Sequence, residues 1–473
     1  MDSLTPDQAR ALWEAGGFLV LTDLPEGSEF GIDGTFHIVR RFSGIKFVPP
    51  GLHLIAWSTT SPSPSASTSA SVSMAGPSNV PIRHAVMRYF NPKQRVVLHF
   101  DRSTESVMES GSGSANTNAN ASESVISDDH LRTLDKEMAP YPFSALESWK
   151  ALTEYITPDV LESVLGAHTD GDGLVDGMTS VEGEEEDSDS KEMKNEVSTL
   201  SKNQPPLQPR SQSQPQSEGL GQEQDHRAAA KKFKFVRFGL KRSWRDGAIG
   251  EEVTRFSRDK SWLLGDVLSN QLAGDLNKLL GQFQLSFILL LHLSSYSALL
   301  VYKRLLTLLC QSPSFLSHPS AYLSNSSHNN NNKKRTNHTK TAEVRRTYAS
   351  LLGVLGKQIE AIPDGSFDTE LPELDAFFQD QIESLRLNIS ASIQNQNPPR
   401  GSAASTAATA LEAGWSEAEK EAIKTAWYKL EKSAKKWGWK IGTLALLRRG
   451  GDDDESSEEE EEEGEYAPVI VNL

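Results

Sequence analysis

Two kinds of periodicity divide the chain. In the first third, apolar residues come in short runs and alternations: Phe18-Leu19-Val20-Leu21, Phe36 and Ile38, Ile45 to Val48, then Leu52, Leu54 and Ala56. Turn signals separate them at Pro25-Glu26-Gly27 and Pro49-Pro50-Gly51. Period-two patterning broken by Pro and Gly predicts antiparallel strands. Val86 to Phe90 and Arg95 to Phe100 read as a strand pair around Asn91-Pro92. A helix is expected from Phe143 to Ile156, where Leu146, Trp149, Leu152, Tyr155 and Ile156 share one face.

Beyond residue 230 the period changes to three and four. Leu264, Leu268, Leu272, Leu276, Leu279, Leu280, Phe283, Phe287, Leu290 and Leu291 follow it, with Gly274 as a break between two helices. Further helices are expected over Tyr296–Cys310, Glu343–Ile362, Pro372–Ile389 and Ser416 to about Leu447. Ser416 and Glu419 form a capping box, in which each side chain meets an orphan backbone N–H. Ile423, Trp427, Leu430, Ala434, Trp437, Ile441 and Leu444 make the apolar stripe of the last helix. The expected fold is α+β and multidomain. An antiparallel β-rich N-terminal domain covers 11–160 and an α-helical C-terminal domain, a bundle or short helical stack, covers 231–447.

Composition adds what lies between. Four small, polar, aperiodic segments read as flexible loops: Ser58–Asn79, Ser103–Ser124, Ser317–Thr341 and Asn395–Thr409. Residues 166–230 combine Gly, acidic residues and the tract QPPLQPRSQSQPQ, and read as a disordered linker. The hydrophobic share of the whole chain, 37%, is low because of these segments. The net charge of −16 is local too. One acidic cluster spans Glu182 to Asp189 and a second runs from Asp452 to Glu465; together they hold 17 acidic residues, about the whole imbalance. The charge describes linkers, not an acidic domain surface.

The one cysteine, Cys310, excludes an intrachain disulfide and fits a reducing compartment. At the end of LLTLLC it reads as a small buried hydrophobe. Residues 285–302 lack Asp, Glu, Lys and Arg, but His292, Ser294 and Ser295 divide them. Two buried helices meeting at a tight turn are expected there, not a membrane span.

No catalytic or metal constellation emerges, and no cofactor is expected. The run Asp170-Gly171-Asp172 opens like a calcium loop but fails at Leu174, Val175 and Val181. No phosphate-binding glycine loop and no GxSxG elbow is present. His37, His53, His84 and His99 read as packing or surface residues.

Two segments remain as candidate contacts. In 231–245, Lys232, Lys234, Arg237, Lys241 and Arg242 interleave with Phe233, Phe235, Phe238 and Trp244. Cations with exposed aromatics hold single-stranded RNA by phosphate contact and stacking. The same spacing suits an edge strand that buries its rings and solvates its lysines; nuclear import or protein contact is a further reading. The second segment is the C-terminus, where Tyr466, Ala467, Pro468, Val469, Ile470, Val471, Asn472 and Leu473 end the acidic tail 448–473. An extended apolar strand on a solvated tether suits pairing with a sheet edge. Ser456 and Ser457 precede glutamates and are candidate phosphorylation sites beside it.

Several segments together resemble one family. EFGID at 29–33, RFSGIKFVPPGLHLIAWS at 41–58, YPFSALESWKALTEYIT at 141–157, LLGQFQLSFILLLHLSSYSALLVYKRLLTLLC at 279–310, KKWGWKI at 435–441 and the terminal EYAPVIVNL carry the likeness. The chain resembles the A1-cistron splicing factors, assembly chaperones of the spliceosomal U5 snRNP. The resemblance implies a helical domain of VHS-like shape and no enzymatic turnover. It implies binding to the large scaffold protein of the U5 particle at its RNase H-like and MPN-type domains. It further implies that premature docking of the U5 RNA helicase is blocked, with release under phosphorylation control. By the same likeness, Ala467 to Leu473 add a strand between the two scaffold domains, and the protein works in cytoplasm and nucleus without a membrane. A VHS-like trafficking adaptor and an RNA-binding protein acting through 231–245 are the alternatives.

Overall fold

The computed structural model describes residues 12–59, 82–103, 106–109, 126–166, 174–183, 232–323, 330–369, 372–394 and 414–444. The early apolar runs become strands: β1 (Gly17–Thr22), β2 (Glu29–Ile32), β3 (Thr35–Ile38), β4 (Gly44–Val48), β5 (Gly51–Ser58), β6 (His84–Phe90) and β7 (Arg95–Asp101). With β8 (Ser106–Glu109), β9 (Met138–Pro140) and β10 (Leu174–Asp176) they form two five-stranded sheets, ordered β8-β7-β1-β4-β9 and β10-β6-β5-β2-β3. Pairing is antiparallel except for β1 with β7 and β4 with β9. The N-terminal region is thus rich in antiparallel strands, as its pattern predicts.

The expected pairing of β6 with β7 is corrected. β6 pairs with β5 and β10, whereas β7 pairs with β1 and β8. The Asn91–Gln94 turn carries the chain from one sheet to the other, held by a hydrogen bond from Gln94 N–H to the Asn91 carbonyl (3.1 Å). Alternation says which way side chains face. It does not say which strand lies alongside.

Between the sheets lie Leu19, Leu21, Phe30, Ile32, Ile55, Trp57, Leu98 and Phe100, all buried. β5 buries its other face as well: Leu52, Leu54 and Ala56 point away from the sandwich into a second core. That explains its nearly unbroken apolar sequence GLHLIAW, because a strand covered on both sides needs no polar face. Helix α1 (Asp128–Leu134) supplies Leu131 to a small cluster with Phe18, Val20 and Met138. Helices α2 (Phe143–Thr153) and α3 (Pro158–Leu165) cover the outer face of the second sheet with Trp149, Leu152, Val160 and Leu161.

The helical region contains α4 (Glu251–Arg258), α5 (Ser261–Gln271), α6 (Leu276–Leu293), α7 (Tyr296–Cys310), α8 (Pro313–Ser317), α9 (Asn330–Ala361), α10 (Ser366–Thr369), α11 (Pro372–Gln394) and α12 (Glu417–Ala434). Gly274 at φ 79° follows α5, and Asp275 caps α6 by accepting from Asn277 N–H. α6 is long and apolar enough to cross a membrane, but most of it is buried inside the protein. Ser294 in the left-handed conformation ends it, and Ser295 caps α7. The two helices thus meet at a tight turn. One core runs from Leu52 and Trp149 through α6 and α7 to Trp427. α6 packs tightly on the end of α2 at Gly281, where a Cβ would lie 2.2 Å from the Tyr155 carbonyl oxygen.

Four expectations are corrected in detail. Residues 174–183 of the expected linker are ordered: Val175 is buried and pairs with Ala85 through β10. A three-residue strand is too short to register within an acidic, Gly-rich composition. Ser106–Glu109 of an expected loop form β8, with Val107 buried. Helix α9 begins at Asn330, inside another expected loop, since extending a packed helix is far easier than nucleating one. Helix α12 stops at Ala434 rather than near Leu447. Gly438 at φ 72° turns the chain. The following residues lie back on α11, where Arg386 donates to the Thr443 carbonyl at 3.0 Å.

Candidate interaction site

Residues 232–245 run as a strap over the junction between the sheets and the helices. Their backbone is held mostly by groups other than a β ladder. Phe233 N–H donates to the Ser180 carbonyl (2.9 Å) and its carbonyl accepts from Glu182 N–H (2.8 Å), a single bridge next to Val181. Lys234 N–H reaches the Val164 carbonyl at the end of α3 (2.9 Å). Val236 N–H donates to Gln282 Oε1 (2.9 Å). Gln271 grips Arg237 at both N–H and carbonyl, each at 2.8 Å. Phe233, Phe235 and Val236 are buried while Lys232, Lys234 and Arg237 are exposed. The period-two spacing therefore does bury the rings and solvate the lysines, but on a side-chain-clamped strap rather than an edge strand.

Further along, Lys260 is buried beneath the strap. Its ammonium donates to the Leu240 carbonyl (3.1 Å), Ser243 Oγ (3.0 Å) and the Ser257 carbonyl (2.5 Å). Burial lowers its pKa, with Asp259 opposing that shift. Lys241 and Arg242 are exposed, and Arg242 pairs with Asp246. Arg245 makes a two-point pair with Glu252 (2.6 and 2.9 Å), which raises the arginine pKa and lowers that of the carboxyl. With Phe233 and Phe235 committed to the core, the strap has no pair of exposed rings on which bases would stack. What it presents outward is charge.

Beside the strap, the sheets and helices are locked by polar contacts. Arg83 forms a two-point pair with Glu29 (2.9 and 3.1 Å) and donates to the His292 carbonyl (3.3 Å). The His292 ring lies among Gly34, Phe36 and Trp149. Burial, and secondarily the charge of Arg83, push its pKa down to about 4. Gln284 on α6 accepts from Tyr155 N–H (2.7 Å) and donates to the Ala151 carbonyl (3.3 Å).

Groups with chemical potential elsewhere are occupied. Asp33 accepts from the Tyr141 hydroxyl and meets His53 Nδ1, both at 2.6 Å, and accepts from Leu54 N–H at 2.9 Å. His53 Nε2 meets the Pro49 carbonyl at 2.8 Å, so neither ring nitrogen is available as a base. Burial and Asp33 raise the Tyr141 pKa. Cys310 is fully buried and burial raises its thiol pKa, which matches the reading as a small hydrophobe. Among the described residues no group of His, Cys, Asp and Glu has metal-binding geometry.

Of the sequence candidates, Lys232, Lys234, Arg237, Lys241 and Arg242 lie on the strap. Ser456, Ser457 and Tyr466 to Leu473 lie outside the described residues. Sequence reasoning missed Gln271, Gln282 and Gln284. For Gln282 and Gln284 the signal was present: buried glutamines inside an apolar helix need partners, and here the partners are the strap and the end of α2, whereas exposed Gln271 carried no such signal.

Comparison with known proteins matches both regions. A family model described as the AAR2 N-terminal domain fits residues 15–166, and one described as the AAR2 C-terminal repeat region fits residues 235–442. A mouse relative called "Protein AAR2 homolog" is 28% identical over 313 residues, covering 66% of this chain and 73% of its own length. A human relative of the same name is 26% identical over 323 residues, covering 68% and 76%. A Caenorhabditis elegans relative is 24% identical over 163 residues, covering 34% and 38%.

Proposed function

We propose that this chain, which belongs to the AAR2 family of splicing factors, is an assembly chaperone of the spliceosomal U5 snRNP that binds and does not catalyse. The observation that carries the reading is the pair of AAR2 matches, lying in order on the sheet region and on the helical region. Its partner is the large U5 scaffold protein, engaged at the RNase H-like and MPN-type domains. While bound, the chain keeps the U5 RNA helicase from docking early. It acts in cytoplasm and nucleus.

The chemistry of the sequence supports a tail contact. Val469-Ile470-Val471 form a β-prone apolar run behind eleven acidic residues at 452–465. Such a strand gains backbone hydrogen bonds by adding to a sheet edge, and its alternate side chains fill pockets there. Phosphorylation of Ser456 or Ser457 would place more negative charge next to that contact. Removing 466–473 is expected to weaken binding to the purified scaffold domain pair at least about tenfold, a loss of about 1.4 kcal/mol. Calorimetric titration reads this directly. Equal affinities for the full and shortened chains would remove the tail from the account.

A further inference from the structure

We infer that the acidic run Asp452–Glu465 docks in cis on the outer face of the basic strap. The inference concerns the free chain and stands whether or not the scaffold is the partner. Its first ground is charge. Residues 232–245 hold six basic residues and no acidic one, with Arg242 and Arg245 paired to Asp246 and Glu252, in a protein whose net charge is −16. Eleven acidic residues lie between Asp452 and Glu465. Lys232, Lys234 and Arg242 point to solvent because the alternate residues of the strap are held in the core.

The second ground is reach. The described chain ends at Leu444, close to α11, where Arg386 holds the Thr443 carbonyl (3.0 Å). Two residues on, across α11, Asn388 donates to the Cys310 carbonyl (2.6 Å). The adjacent Gln311 carbonyl accepts from Lys260 N–H (2.8 Å), and the Lys260 ammonium reaches the strap at Leu240 (3.1 Å). The path from Thr443 to the strap thus crosses α11, the end of α7 and Lys260. The eight residues from Leu444 to Asp452 span up to about 27 Å when extended. That length, with the fourteen residues of the run itself, sets the reach of the acidic segment.

The third ground is a fit at the far end. A cleft of about 260 Å³ beside the strap is lined by Lys234, Lys278, Ser163, Gln271 and Gln282, with Asp159 paired to Lys278. Lys234 there offers a cation to a carboxylate side chain, beside the Lys278–Asp159 pair. Docking there would keep residues 466–473 near the body and would shield the strap from other polyanions.

The test uses the full chain with a nitroxide on Ser457→Cys, since buried Cys310 does not compete for the label. Amide signals of residues 232–245 should lose about half their intensity at low salt and recover at about 1 M, where the Debye length is about 3 Å. The same label on a chain carrying Lys232→Glu and Lys234→Glu should leave the strap signals nearly intact. Recovery on dilution would mean contact between molecules, and salt-independent loss would mean an apolar contact. Either result, or no loss at all, would overturn the inference.

Discussion

Around the α6–α7 hairpin, Phe283 stacks on Tyr302 at 4.7 Å and Phe287 packs at 5.6 Å from the same ring. Between the two sheets, a carboxylate, an imidazole and a phenol are buried together with the apolar side chains. Both cores exclude water, but they specify structure differently. Apolar burial is non-directional and tolerates small shifts of one helix on another. The Asp33–His53–Tyr141 network fixes the β2–β3 hairpin, β5 and the segment before α2 at hydrogen-bond distances, and loses stability when any member is missing. The helical region adds pairwise polar contacts to its buried surface, such as Tyr302 donating to Gln358 Oε1 (3.0 Å), and the sandwich adds the three-membered Asp33–His53–Tyr141 cluster.

The largest expected effect tests the helical side. Phe283→Ala removes a fully buried ring and should cost about 4 kcal/mol in urea unfolding. Asp33→Ala should cost about 3 kcal/mol, because it strands His53 and Tyr141 in a dry site. A cost below about 0.5 kcal/mol would place Asp33→Ala among ordinary surface changes and erase the contrast between the two cores. The smallest effect concerns the junction. The folded-state pKa of His292 lies below the ordinary imidazole value, so folding favours the neutral ring. Its contribution is whole above about pH 6.5 and is lost as pH falls towards about 4. Urea midpoints of His292→Gln should therefore fall less than wild type across that window; parallel curves would remove His292 from the acid response.

The same contrast explains how much the sequence disclosed. Helix α7 was legible to the residue, since its period is local, Ser295 caps it and Gln311 closes it. The Ser416–Glu419 box was legible for the same reason: its two partners are three residues apart. Asp33, His53 and Tyr141 are separated by 20 and 88 positions, and no local pattern brings them together. Sheet order failed for the same cause, with β6 and β7 adjacent in sequence but in different sheets. On the strap, alternation correctly separated buried rings from solvated lysines. The glutamines that hold it lie 34 and 46 residues away, on other helices.

The contrast also bears on function. A body locked by Gln282, Gln284 and the Arg83–Glu29 pair presents a fixed surface. The most direct test is affinity capture of the full chain from nuclear and cytoplasmic extracts, with the bound proteins quantified by mass spectrometry. The account predicts the large U5 scaffold protein as the dominant partner, with the U5 RNA helicase absent from the same complex. Capture of the scaffold with the helicase already docked, or of membrane cargo in place of the scaffold, would contradict it.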